Sequence, residues 1–212
     1  MSETPTQTNS EETTTTAADE IYSTVGLRDV VYALLTTDEA GEDPAYGEVN
    51  PLVGAIDFDL SDNSGDEDAQ YYDDHEGDVL YPDPEMTGTL EMADILPERL
   101  AVLLGATVDE NGVLVRTADD KPPYFAMGFK SEKSNGEDRY VWLYKGRAKL
   151  GNQKFTTKQG KTITRQTTKL TITFIKRTCD GLWQTFADTD NNDFATAAAT
   201  FFSTVYEPDY GT

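Results

Sequence analysis

The sequence has a single cysteine, Cys179, and a single histidine, His75. One cysteine excludes an internal disulfide, so the fold must stand on its packed core alone. One cysteine and one histidine offer no Cys/His metal spacing, and no glycine-rich phosphate loop is present. No apolar run approaches the ~18 residues of a membrane span. The first 20 residues, MSETPTQTNSEETTTTAADE, have neither the basic nor the apolar region of a secretory signal, which points to folding in the cytoplasm. Their Thr, Ser and Glu content predicts a disordered arm over residues 1–24.

Base is almost missing from the first half. Residues 1–98 hold 26 acids and one base, Arg28, whereas residues 99–212 hold 13 acids and 16 bases. Within 121–177 there are 14 bases and three acids, a net of +11 inside a chain of net charge −22. Uniform acidity signals solubility. A split of this kind implies that one part meets another, within the chain or between copies.

What remains is patterned as β-structure. Residues 25–36, 52–61, 86–95, 108–117, 124–149, 169–177 and 182–188 read as strands or hairpins. In 52–61, Ile56, Phe58 and Leu60 alternate with Asp57 and Asp59. In 86–95, Leu90 and Met92 face inward. The segment 124–149 is a hairpin of two aromatic-rich strands around Asn135-Gly136. Residues 169–177 alternate strictly, with Leu170, Ile172 and Phe174 on one face, and 182–188 is expected to pair with them across Cys179-Asp180-Gly181. Residues 38–51 and the very acidic 62–78 read as loops. A helix is expected over 96–106, with Asp94 as cap, Pro97 in the first turn, a stripe of Leu96, Leu100, Leu103 and Leu104, and Gly105 at the stop. A second is expected over 193–207, capped by Asn192 or Asp193, with Phe194, Ala197, Ala198, Phe201 and Val205 inward. The sum is a mainly β protein: an antiparallel β-sandwich of two sheets packed face to face, with a short flanking helix and a C-terminal helix. One domain, 25–208, lies between the arm and a short tail, 209–212.

Chemistry is sparse. His75 sits in YYDDHEGD, a loop of carboxylates without a packed partner, and reads as a solvated side chain. Cys179 has no histidine to activate it. DTDNND, residues 188–193, starts like a calcium loop with Asp188, Asp190 and Asn192, but carries Asp193 where Gly is needed and Ala199 where Glu is needed. It reads as a polar turn. Bases interleave with aromatics in RYVWLYKGRAK, yet Tyr140, Trp142 and Tyr144 share one strand face, as a packed sheet explains. No catalytic residue, cofactor or metal is indicated.

The segment LGNQKFTTKQGKTITRQTT, residues 150–168, separates two strands with no acid and few apolar side chains. It reads as an extended hairpin arm turning near Gln159-Gly160, ordered by a partner. The partner that suits it is the acidic region of another copy, a heterologous contact that closes into rings or continues as a filament.

Several stretches carry a resemblance: VGLRDVVYALLT, AYGEVNPLVGAIDFDLS, ADILPERLAVLLGATVDENGVLV, PPYFAMGFKSEKSNGEDRYVWLYKGR, TITFIKR, DGLWQTFAD and FFSTVYE. Together they resemble the major tail proteins of long-tailed phages and prophages of Gram-positive bacteria over residues 25–208. The departures are residues 1–24 and the acidic 62–78. The resemblance implies a virion structural subunit that forms stacked, hexameric rings around a conduit for DNA ejection, built in the host cytoplasm and resident in the virion tail. It implies itself, the tape-measure protein, the tail tip and the tail terminator as partners, and viral DNA in transit without specific binding. Membrane has no part. For inter-ring contact it directs attention to Lys154, Phe155, Lys158, Lys161, Ile163 and Arg165. For an acidic lumen wall, which does not grip phosphates, it points to Asp57 and Asp59. The alternative reading is a non-catalytic cell-surface or carbohydrate-binding β-sandwich module.

Overall fold

A computed structural model describes residues 21–65, 68–72, 75–80, 82–83, 85–157 and 165–210. The protein is mainly β, with thirteen strands and two short helices among the described residues. The strands are β1 (Thr24–Thr37), β2 (Ala45–Tyr46), β3 (Asn50–Pro51), β4 (Ala55–Asp62), β5 (Asp68–Tyr72), β6 (His75–Leu80), β7 (Glu85–Met92), β8 (Thr107–Val108), β9 (Leu114–Val115), β10 (Tyr124–Lys133), β11 (Asp138–Leu150), β12 (Thr168–Ile175) and β13 (Gln184–Asp188). The helices are α1 (Pro97–Leu104) and α2 (Asn192–Ala198).

One antiparallel sheet dominates, in the order β2-β1-β10-β11-β12-β7-β4, with β3 beside β1 and β13 beside β11. Its neighbours are joined by hairpins or by longer antiparallel returns. The sheet does not stay flat. Phe58 on β4 meets Phe129 on β10 with ring centroids 5.4 Å apart, although three strands lie between them in the sheet. The β4–β7–β12 half therefore folds over the β1–β10 half as an antiparallel β-sandwich. The two expected sheets are thus one continuous sheet, bent through β11 and β12. Tyr32, Phe125, Met127, Leu143, Leu90, Met92, Leu170, Ile172 and Phe174 fill the interior, and Leu100, Leu103 and Leu104 of α1 pack into it.

A second apolar layer lies on the other side of β1, β10 and β11. Tyr140, Trp142 and Tyr144 share that face, as their alternation predicted. Phe194, Ala198, Phe201, Phe202 and Val205 cover them. Fully burying one such large side chain is worth roughly 1.5–3 kcal/mol. Polar tips are served as well: Trp142 Nε1 donates to the Phe201 carbonyl at 3.1 Å, and the Tyr144 hydroxyl donates to the Tyr206 carbonyl at 2.6 Å. The interleaved aromatics and bases of this strand are a packed surface.

Several expectations are corrected. β13 pairs with Arg139–Leu143 of β11 and does not pair with β12. β12 covers only Gly146–Leu150 of that strand, so the remaining edge needs a partner for its amides and carbonyls. β13 supplies it after an excursion closed by Arg177 N donating to Leu182 O at 2.8 Å. Ile56 is exposed, because the register jumps from Ala55↔Met92 to Asp57↔Glu91 and this bulge gives the inward position to Ala55. Leu96 is also exposed. Asp94 does not cap α1; its carboxylate accepts from the Ile95 amide instead. Gly105 does end that helix, at φ 65°. α2 is capped by Asn191, which accepts from the Asp193 amide, and stops at Ala198. Tighter i+3 turns from Thr200 to Ser203 follow, and they keep Phe201 facing the sheet. Residues 62–78, read as a loop, include the end of β4, all of β5 and the start of β6, and β5 pairs with β6 as a hairpin. The span read as a loop at 38–51 contains the two-residue strands β2 and β3. The arm expected over residues 1–24 lies outside the described residues up to residue 20.

The fold has a tight point at Gly88 on β7. A Cβ there would lie 2.5 Å from the Phe58 ring and 3.2 Å from the Phe174 ring. Gly88→Ala is expected to lower stability by about 1–3 kcal/mol through overpacking, read as a shift of the urea midpoint. An unchanged midpoint would mean that the Phe58 ring swings aside at no cost.

Candidate assembly surfaces

The bases of 121–177 are largely answered within the molecule. Seven of the 14 form ion pairs among the described residues: Lys130 with Asp29, Lys133 and Arg139 with Asp188, Lys145 with Asp38, Lys169 with Glu91, Lys176 with Asp83, and Arg177 with Asp180 and Glu207. Four of these partners (Asp29, Asp38, Asp83 and Glu91) come from the acidic half. The charge split that looked intermolecular is therefore in good part a device that joins distant strands of one chain.

The most deeply buried of these cations is Arg177. Its side chain is fully buried, with the guanidinium 4.6 Å from the centre of the Tyr144 ring. It donates to Glu207 at 2.7 and 2.8 Å, to Asp180, and to the Tyr46 hydroxyl. Burial disfavours its charge, but the Glu207 and Asp180 carboxylates outweigh that and hold it protonated. This ties β2, the 176–183 excursion and the C-terminal segment together. Lys145 is anchored similarly. Asp38 accepts from its ammonium and from the amides of Thr178 and Cys179, at 2.7 and 3.0 Å. Burial would raise the Asp38 carboxyl, yet these donors bring it down to about 2.

Cys179 and the carboxylates of 188–190 have partners within the chain. Burial, with Asp38 and Asp180 nearby, pushes the Cys179 thiol up to about 11, the opposite of an activated nucleophile. Asp188 receives two bonds from Arg139, at 2.6 and 2.8 Å, and one from Lys133 at 3.0 Å; Asp190 also pairs with Lys133. The Arg139 hydrogen bonds lead in lowering Asp188 to about 2. The would-be calcium carboxylates are filled by cations of their own chain. His75 opens β6 opposite Tyr72. Among the described residues no group of three His, Cys, Asp or Glu is placed to hold a metal, and no helix is long and apolar enough to cross a membrane.

Three of the six arm residues fall within the described structure. Lys154, Phe155 and Arg165 are exposed, Phe155 to 84%. Lys158, Lys161 and Ile163 lie outside the described residues. Gly151 N donates to Lys169 O at 2.8 Å, and the Gln166 side chain donates to Thr156 O and Oγ1 at 3.1 and 2.9 Å. The two flanks of the segment are thus held together, although 151–157 and 165–167 carry no strand ladder.

Asp57 and Asp59 are exposed on β4. Register extends their rows across the sheet: Asp57, Glu91, Lys169 in one; Asp59, Thr89, Thr171, Lys149 in the next; Ser61, Thr87, Thr173, Arg147 in the third. This side of the four strands β4, β7, β12 and β11 is polar, and none of these residues is buried. Its carboxylates gather on the β4 side and its bases on the β11 side. Among the described residues β4 pairs only with β7, so its outer edge has no ladder partner, although β4 also packs near β1.

No protein-family model and no curated protein sequence matches this chain.

The enclosed ion pairs went unread in the sequence, though Lys145 and Arg177 interrupting apolar segments were a usable signal. Asp38 offers the test. Its folded value lies below the ordinary value of about 4. Its contribution is therefore complete above pH 4 and is lost as pH falls through about 2. Asp38→Asn is expected to lower the Tm at pH 7, with the gap to wild type closing between pH 4 and 2. A gap that stays constant over that range would assign the effect to packing.

Proposed function

We propose that the protein is a non-catalytic structural subunit of a phage-type tail tube, assembling through copies of itself into stacked rings around a passage for DNA. The observation that carries the reading is the uncovered polar face of β4, β7, β12 and β11 beside an open strand edge. A solitary sandwich gains nothing from leaving such an edge unpaired. A ring of copies pairs or covers it and turns the polar face toward a common centre. Asp57, Asp59 and Glu91 then stand on the β4 side of that wall, where negative charge does not hold passing phosphates. The resemblance of residues 25–208 to the major tail proteins supports the same assignment and supplies the hexameric ring, the virion tail as location, and the tape-measure, tip and terminator proteins as partners.

The arm residues Lys154, Phe155 and Arg165 serve in this reading as contacts between successive rings. Negative-stain electron microscopy of concentrated protein across a salt series is expected to show hollow tubes or stacked rings. Monodisperse particles at every salt and protein concentration would overturn the reading.

A further inference from the structure

Three bases stand round one pocket of about 500 Å³. Arg147 and Lys149 lie two residues apart on β11 and share its outer side, and Arg116 lines the same pocket from the segment after β9. Thr117, Asp120 and Pro122 continue that wall, and the buried Leu104 and Ala148 complete the lining from below. None of the three bases forms an ion pair among the described residues, in a chain that has 39 acids for 17 bases. The carboxylate in the lining, Asp120, has both oxygens engaged elsewhere: one accepts from Thr117 N at 3.0 Å, the other from Thr117 Oγ1 at 2.6 Å. These bonds lead in holding its carboxyl below the usual range, and Arg116 adds to them from a distance. Three cations against one carboxylate leave the pocket a net of +2. Its walls are fixed without a ligand. The Arg147 guanidinium lies 4.1 Å from the centre of the Tyr124 ring, on its register partner in β10. The segment carrying Arg116 is pressed onto the end of α1, where a Cβ at Gly105 would collide with the Lys121 carbonyl.

We infer that this pocket binds a small phosphate-bearing dianion. Its net of +2 balances such a ligand, whereas a single carboxylate would leave one cation unanswered. Two guanidinium forks suit a tetrahedral oxyanion, which each can hold through paired hydrogen bonds, and Lys149 adds a point charge. Thr173, the register partner of Arg147, brings a hydroxyl to the lining. The volume exceeds what a bare phosphate needs, and Leu104, Ala148 and Pro122 offer apolar area to a compact organic group. Nucleic acid fits less well. The repulsion from a chain of net charge −22 grows with the charge of the ligand, so a polyanion is penalised far more than a dianion. The three bases also surround a pocket and do not line a groove that a backbone could follow. Every residue of the site belongs to one chain, so binding does not depend on assembly into rings.

Isothermal titration calorimetry of the full chain at constant ionic strength tests it, with inorganic phosphate as the probe. Saturable binding of one phosphate per chain is expected. Arg116→Gln and Arg147→Gln each remove a guanidinium and are each expected to weaken that binding about tenfold. Circular dichroism checks that both are folded. Arg147 also stacks on Tyr124, so Arg116→Gln carries the test if the other variant misfolds. Lys154→Gln removes an exposed base outside the pocket and is expected to bind phosphate as wild type does. A short DNA duplex at the same total phosphate is expected neither to bind saturably nor to compete. Absence of saturable binding by phosphate would overturn the site. Equal weakening by Lys154→Gln would overturn it too, because general charge and not the pocket would then hold the anion. A duplex that binds more tightly than phosphate, and loses that binding in Arg116→Gln, would make this a nucleic-acid contact and overturn the small-anion assignment.

Discussion

The structure depends on satisfying one long strand. β11 runs for 13 residues and is buried on both faces over most of its length. A strand so placed has no water to fall back on, and every amide and carbonyl along both edges needs a partner. β10 takes one edge. The other is too long for β12, and β13 takes the part that β12 leaves. Its two faces set the layers. Leu143 and Ala148 point into the sandwich, while Tyr140, Trp142 and Tyr144 point to the C-terminal cover. A chain that must cover the second face cannot end at β13, which is why residues 192–207 return across the sheet.

The charges follow the same logic. Lys145 lies on β11, Lys133 on the neighbouring β10, and Arg177 just after β12; all three are buried. Such cations are costly to bury alone and are tolerable when paired and hydrogen-bonded. Asp38, Asp188, Asp190, Asp180 and Glu207 supply the partners. These partners arrive on separate connections: the turn after β1, the excursion after β12, the end of β13 and the C-terminal segment. Buried pairs of this kind add little net stability, but breaking one strands a charge. They fix which connection lies where.

The sequence made legible what depends on local alternation. Leu90, Met92, Leu170, Ile172, Phe174 and the 124–149 hairpin are where period two put them. Features decided by non-local competition were not legible. β13 had two possible neighbours, and the unfilled edge of β11 decided. Ile56 has the right spacing for an inward side chain, but a bulge that only the β7 register requires turns it out. α2 shows helical spacing through Val205, yet the contacts that spacing predicts are met by turns after Ala198. Of the candidate site, exposure at Lys154, Phe155, Arg165, Asp57 and Asp59 was legible, because polar or unmatched side chains in a β pattern face water. The internal pairing of half the basic segment was not, since a partner far away in the chain leaves no local trace.

That pairing changes how the charge of −22 bears on assembly. Once seven cations of the basic segment are matched inside the molecule, Lys154 and Arg165 remain exposed without a carboxylate partner among the described residues. Two subunits approaching at random meet as like charges and repel over the Debye length, roughly 8 Å at physiological salt. On the tail-tube reading, an approach that brings a basic end of one onto an acidic surface of the other reverses the sign at contact. Salt weakens the general repulsion and the local attraction together, but not equally. Pairs that become desolvated at a joint are screened less than charges spread over exposed surface. On the tail-tube reading, a strongly acidic subunit with one basic end is thus suited to stay dispersed while free and to add to a growing end in a single orientation.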